Sequence, residues 1–262
     1  MNGFNLIKSG FGAFGEYNCT VKKYKNNSFV LRYNSYSNIS GILRDKNKVG
    51  SCTTEELERY DYLNMIDVKN RIIDLAKNNG DWQYFVTLTF DDEKVNGYDY
   101  NSITKKLKNW LDVQRRKNPN IAYLMVIELH KSGRYHFHGL FKNVSDWLLS
   151  PARNPKTGKL IKIKGSQIYN LKNYKLGFTT VSEVKNQEAV MVYISKYITK
   201  DLINLKFKKH YWRSKNLDMP IIDYYHTNLE QIKEYIKQYN VCYEKINEQD
   251  NYTTAIYQFF LN

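Results

Sequence analysis

Apolar positions along the chain switch between two periods, and the switches mark out its elements. Residues 16–43 alternate apolar and polar positions (Tyr17, Cys19, Val21, then Phe29, Leu31, Tyr33) between Asn- and Ser-rich turns, the pattern of short strands. Residues 53–78 change to a helical period. Thr53 and Thr54 can cap, Glu55 and Glu56 suit the first turn, and Leu57, Tyr60, Leu63 and Ile66 form one stripe, stopped by Asn78-Asn79-Gly80. WQYFVTLTF (82–90) is β-branched and aromatic and predicts a strand of the main sheet. Residues 101–117 predict a basic amphipathic helix on Ile103, Leu107, Trp110 and Leu111, ended by Asn118-Pro119. Further on, LGFTTVSEV (176–184) predicts a strand and QEAVMVYISKYITKD (187–201) a helix. A helix over about 228–239 and a hairpin of VCYEKIN with YTTAIYQFF follow.

The stretch with the most chemistry is YLMVIELHKSGRYHFHGLFK (123–142), two strands folded on a tight turn. Side chains two apart share a face, so His136 and His138 point together. A three-residue loop Ser132-Gly133-Arg134 would pair Glu128 with His138 and His130 with His136, with Gly133 in the left-handed position. That register gathers up to three imidazoles and one carboxylate. Two neutral imidazoles and a carboxylate can hold one divalent ion and leave positions open for a substrate oxygen. No thiol lies nearby in sequence, which argues against a closed structural zinc site.

Composition sharpens the picture. The 262 residues carry 40 Lys+Arg against 26 Asp+Glu, a net charge of +14, which favours a polyanionic partner, nucleic acid first. Residues 143–175 form a long basic insertion (Arg153, Lys156, Lys159, Lys162, Lys164, Lys172, Lys175) interleaved with Tyr169 and Tyr174, a composition suited to phosphates and stacked bases. KFKKHYWRSKNLDMP, which contains Arg213 and Lys215, is basic and aromatic again. No run approaches the ~20 apolar residues of a membrane span. The N-terminus is too polar for a secretory signal, and three scattered cysteines suit reduced thiols in a cytoplasm. No G-x-x-x-x-G-K-[ST] stretch is present, so no ATP-driven motor is expected.

In YISKYITK, Tyr193 and Tyr197 are four apart and share a helix face, with Lys196 and Lys200 each three residues after a tyrosine. Tyrosine is a weak nucleophile at its ordinary pKa, and a nearby ammonium favours the phenolate.

TLTF, then ELHKSGRYHFH, then YISKYITK, in that order on one basic chain, resembles the HUH endonucleases, in which a bulky hydrophobic residue, here Phe137, separates two histidines. The doubled Y-x-x-K resembles two-tyrosine rolling-circle replication initiators of small single-stranded DNA phages and plasmids. The resemblance covers residues 86–200. It implies an α+β fold, a central antiparallel sheet of about five strands flanked by helices as in an RNA-recognition palm. The expected organisation is an N-terminal extension (1–80), the endonuclease domain (81–220), and a C-terminal helix and hairpin (221–262) packed on it.

Carried over by residue, the resemblance makes Glu128, His136 and His138 ligands of Mg²⁺ or Mn²⁺, and Tyr193 and Tyr197 nucleophiles helped by Lys196 and Lys200. His130 matches a position that is not generally a ligand. DNA contacts are expected from Thr87, Thr89, Arg134, Lys162, Lys164, Arg213 and Lys215. The implied reaction is nicking and joining of single-stranded or hairpin origin DNA through a 5′-phosphotyrosine in the cytoplasm of a bacterial host. The protein would act as a monomer, with unwinding and synthesis left to a host helicase and polymerase. Other readings are an HUH transposase or relaxase, a non-catalytic nucleic-acid-binding palm, and a two-histidine, one-carboxylate iron oxygenase. The last explains the His-x-His strand but neither the tyrosine helix nor the charge.

Overall fold

A computed structural model of the chain describes residues 5–9, 15–40, 53–154, 156–163, 165–197 and 208–260. The first elements are β1 (Asn5–Ser9), β2 (Gly15–Lys23), β3 (Ser28–Ser40), α1 (Thr54–Asn78), β4 (Tyr84–Leu88) and α2 (Tyr100–Lys117). The histidine hairpin is β5 (Ala122–Leu129) and β6 (Tyr135–Lys142). Four short strands follow: β7 (Leu149–Pro151), β8 (Lys162–Ile163), β9 (Ser166–Gln167) and β10 (Tyr169–Leu171). Then come β11 (Thr179–Glu183), α3 (Gln187–Ser195) and β12 (Tyr211–Arg213). The chain closes with β13 (Ile221–His226), α4 (Leu229–Ile236), β14 (Asn240–Gln249) and β15 (Tyr252–Phe260).

These elements form two compact units, residues 1–52 with 219–262, and residues 53–218. The fold is α+β, with four helices among the described residues and large antiparallel sheets. In the first unit, six strands run in the order β1-β13-β2-β3-β15-β14. Residues 221–262 therefore do not stand as a separate C-terminal element: β13 pairs with β2, and β15 with β3. The inward positions explain the pairing, because Cys19, Val21 and Leu31 share one core with Tyr225, Ala255, Tyr257 and Phe259, and α4 closes it with Ile232, Tyr235 and Ile236. Apolar residues of the two chain ends bury only against each other.

The second unit carries a seven-stranded sheet, β12-β5-β6-β4-β11-β10-β7. Its first five strands are those the sequence pattern predicts, and the other two come from the basic insertion, which is thus not a plain loop. The expected boundary at residue 80 falls inside this unit, since α1 packs beside α3 and touches β5. Buried Ile72, Leu75 and Ala76 give α1 its inner face. Asp99 caps α2 by accepting from Asn101 N–H at 3.2 Å and Ser102 N–H at 2.9 Å. Ile103, Leu107, Trp110 and Leu111 then bury one stripe of α2, with Trp110 edge-on to Phe141.

The register defines two faces of this sheet. One carries Val86, Leu88, Ile127, Phe137, Phe141 and Val181, all fully buried. On the other, neighbouring strands align Tyr211, Val126, His138, Thr87 and Thr180 in one row, and Arg213, Leu124, Leu140, Phe85 and Ser182 in the next. Helix α3 lies over this second face. Its start is fixed by Gln187, whose side chain donates to Trp82 O at 2.8 Å and accepts from Trp82 N–H at 3.0 Å. Met191 and Ile194 are buried beneath it.

Candidate active site

The hairpin brings Glu128 and the histidines together through a register two residues away from the expected one. Glu128 lies opposite His136, and Val126 opposite His138. The loop does have three residues, but they are Lys131-Ser132-Gly133: His130 N–H donates to Arg134 O at 2.8 Å, and Gly133 N–H to His130 O at 2.8 Å. The reason is local. Three-residue hairpin loops place the left-handed residue last, and Gly133 (φ +83°) takes that place, where a central Gly133 would not. A shift of two residues leaves every side chain on its face, so the cluster survives the correction.

His138 is the buried centre. Its Nε2 meets Glu128 Oε2 at 2.7 Å, across the diagonal of the pair, and its Nδ1 meets Thr87 Oγ1 at 3.0 Å from the strand directly opposite. Both ring nitrogens are therefore occupied and the ring orientation is fixed. His136 is half-buried and its ring stacks on the exposed His130 at 5.2 Å. His130 in turn bonds Ser132 Oγ through Nδ1 at 3.0 Å.

The tyrosines close over this pair. Helix α3 ends at Ser195, not at 201; Lys196 and Tyr197 continue it as a tight turn, with Lys196 N–H donating to Tyr193 O at 3.1 Å. Asn186 starts it by accepting from Ala189 N–H at 2.8 Å. The Tyr197 ring stacks on His138 with centroids 3.6 Å apart and planes 11° apart. Its hydroxyl donates to the Tyr193 hydroxyl at 2.8 Å, and the two rings stand edge-on at 5.5 Å. Tyr193 is 43% exposed, whereas Tyr197 is half-buried. The Lys196 ammonium sits 5.2 Å from the centre of the Tyr193 ring. Lys200 lies outside the described residues.

Charge in the site is unevenly held. The hydrogen bond from His138 keeps the Glu128 carboxyl below the usual carboxylate range, against the opposing effect of burial. Burial holds the His136 imidazole below its ordinary value, with His138 adding to the effect. Burial, the hydrogen bond to Tyr193 and the Glu128 charge all push the Tyr197 phenol well above its ordinary value. Tyr197 as placed here is a proton donor.

Among the described residues, no group of three or more His, Cys, Asp and Glu side chains is arranged to hold a metal ion. The donor chemistry nevertheless fits one. Thr87 occupies Nδ1 of His138, which leaves Nε2 as the ligand nitrogen, and the Glu128 carboxylate already sits at that nitrogen. His136 is the neighbouring imidazole on the same face.

The remaining expected residues fall into different settings. Thr89 turns its hydroxyl to the backbone before β11, donating to Phe178 O at 2.9 Å. Arg134 pairs with Asp92, donates to Phe90 O at 2.5 Å and lies 5.3 Å from the Tyr98 ring, so it braces two loops. Lys162 is exposed on β8, and Lys164 lies outside the described residues. Arg213 sits on the edge strand β12 and donates to Leu217 O at 2.5 Å, with exposed Lys215 in the turn after it. Tyr174, expected among base-stacking rings, is buried against Trp110 and donates to Thr89 O at 3.0 Å.

Phe85 was not singled out from the sequence. Its ring lies 6.0 Å from His138, 5.3 Å from Tyr193 and 6.2 Å from Tyr197, so it seats all three. The signal was available: in WQYFVTLTF, Phe85 is two residues before Thr87 and shares its face.

Residues 83–202, a little under half of the chain, match a family of replication-associated proteins, described as that of ORF2 and the gene 2 protein. No curated protein and no solved structure matches the chain. No helix among the described residues is long and apolar enough to cross a membrane.

Proposed function

We propose that the chain is a replication initiator that nicks and rejoins single-stranded DNA through a tyrosine–phosphate intermediate. The observation that carries this reading is the placement of two hydroxyl-linked tyrosines directly on a carboxylate-paired histidine. All the residues concerned lie within the segment that matches replication-associated proteins. An ordinary structural tyrosine pair would account for neither the histidine beneath it nor the partners on both nitrogens of that histidine.

In this reading Tyr193 attacks first, because its ring is the more exposed and has the Lys196 ammonium beside it. The phenolic oxygen forms the new P–O bond as the 3′ oxygen leaves and takes up a proton. The products are a 5′-phosphotyrosine and a free 3′-hydroxyl for a polymerase. One phosphodiester is exchanged for another, so no nucleotide hydrolysis is needed. Tyr197, held protonated, donates a hydrogen bond to Tyr193 and serves as the second nucleophile when the origin is regenerated. Glu128, His136 and His138 would hold a Mg²⁺ or Mn²⁺ ion, which neutralises charge on the scissile phosphate. Thr87 keeps the His138 ring in register for that task. Arg213, Lys215 and Lys162 are the exposed cations proposed to meet the DNA backbone.

The test is incubation with single-stranded DNA from the chain's own replicon and Mn²⁺. A slowly migrating, protease-sensitive protein–DNA adduct is expected. Cleavage that leaves no covalent adduct would overturn the tyrosine mechanism.

A further inference from the structure

We infer that a groove beside Tyr193 receives the nucleobase adjoining the scissile phosphate, a site that rests on the nuclease reading above. The groove, about 250 Å³, is lined by Phe85, Ser182, Asn186, Ala189, Val190 and Tyr193, among others. It is continuous with the candidate active site, because Phe85 and Tyr193 belong to both. Its size decides the occupant. Pockets for drug-sized ligands run from roughly 300 Å³ upward, so this one takes a single planar group and not a run of chain.

The lining has the character a base requires. Phe85 and Tyr193 stand 66° apart at 5.3 Å, presenting ring surface from the sheet floor and the helix wall. Ala189 and Val190 add an aliphatic side from α3. Ser182 lies opposite Phe85 on the neighbouring strand and brings a hydroxyl to the floor. Asn186 brings an amide at the rim, its oxygen already engaged by Ala189 N–H. Rings with a few hydrogen-bonding groups stack a base and read its edge. Lys185 at the same rim supplies a cation for the phosphate that follows. The result would be a preference for particular bases at the nick, set by a residue cluster separate from the metal ligands.

The test uses single-stranded oligonucleotides carrying 5-iodouracil at successive positions, bound to the full chain with Tyr193→Phe and Tyr197→Phe so that no phosphotyrosine forms. Irradiation should join one position to a peptide containing Phe85 or residue 193. Val190→Trp, which fills the groove, should cut that cross-link at least tenfold and weaken binding by roughly tenfold, the effect of one lost stack. Ala189→Leu should lower both in the same direction to a smaller extent, which guards against a misfolded tryptophan variant. Cross-links that map elsewhere, or that survive both substitutions in proteins with an unchanged melting temperature, overturn the groove. A groove cross-link without any nicking by the parent chain would instead sink the nuclease reading and leave the groove standing.

Discussion

The two faces of the seven-stranded sheet are built from the same strands and could hardly differ more. Along β6, Phe137 and Phe141 are fully buried, Phe141 against Trp110 of α2, while His136 and His138 point the other way into a half-covered polar site. Along β4, Val86 and Leu88 serve the core while Phe85, Thr87 and Thr89 serve the site. One face therefore carries the free energy of folding and the other carries the chemistry, with the peptide backbone as their shared frame. The strand period of two makes this division possible, because neighbouring residues can be selected for unrelated tasks. Substitutions on the two faces should accordingly separate stability from activity.

The largest effect is expected on the site face from the double substitution of Tyr193→Phe and Tyr197→Phe, which should abolish the covalent adduct. Each single substitution should retain some adduct but fail to complete strand transfer. Phe keeps both rings, so the melting temperature should stay close to that of the unaltered chain. A double variant that still forms adduct would place the nucleophile elsewhere. Close behind comes His138→Ala, which removes the partner of both Glu128 and Thr87 and the floor under Tyr197. Nicking should fall below detection with DNA binding largely kept, and EDTA should do the same to the unaltered chain.

The core face should answer in the opposite currency. Phe137→Ala is expected to lower unfolding free energy by about 3–5 kcal/mol in denaturant titration, with nicking per folded molecule nearly unchanged. Loss of activity without loss of stability would show that the two faces are not separable. A smaller effect is expected for Thr87→Val, which keeps the shape and removes the hydroxyl bonded to His138 Nδ1. Turnover should drop roughly tenfold with no change in DNA affinity, and Thr87→Ser should restore it. Smallest of all, Lys162→Glu on the exposed β8 should flatten the dependence of DNA affinity on salt by about one unit of slope. An unchanged slope would mean that this strand pair faces away from DNA.

The sequence made one of these faces far easier to read than the other. Apolar alternation in WQYFVTLTF and around His136-Phe137-His138 placed the strands and assigned sides, because burial imposes that pattern directly. Helix α2 was legible for the same reason, with its boundaries nearly as expected. Register was not. The three-residue loop was foreseen, but its position depended on where Gly133 had to sit, a backbone requirement that hydrophobicity does not record. The joining of β2 and β3 to β13 and β15 was also hidden, since pairing between the chain ends has no local signature. Tyr174 looked like a ring for DNA and is a core residue, because aromatic residues serve both purposes and only burial tells them apart. The tyrosine pair came from the resemblance, whereas the stacking of Tyr197 on His138 required the fold.

The central claim is that Tyr193 or Tyr197 becomes covalently joined to DNA, and peptide mapping of the adduct tests it most directly. The chain is incubated with Mn²⁺ and a single-stranded origin oligonucleotide, digested with trypsin and nuclease, and sequenced by mass spectrometry. The account predicts a nucleotide phosphate on the peptide containing YISK or the one that follows it, at Tyr193 in the unaltered chain and at Tyr197 when Tyr193 is Phe. A nucleotide found on any other residue, or nicked DNA with no modified peptide, would contradict it.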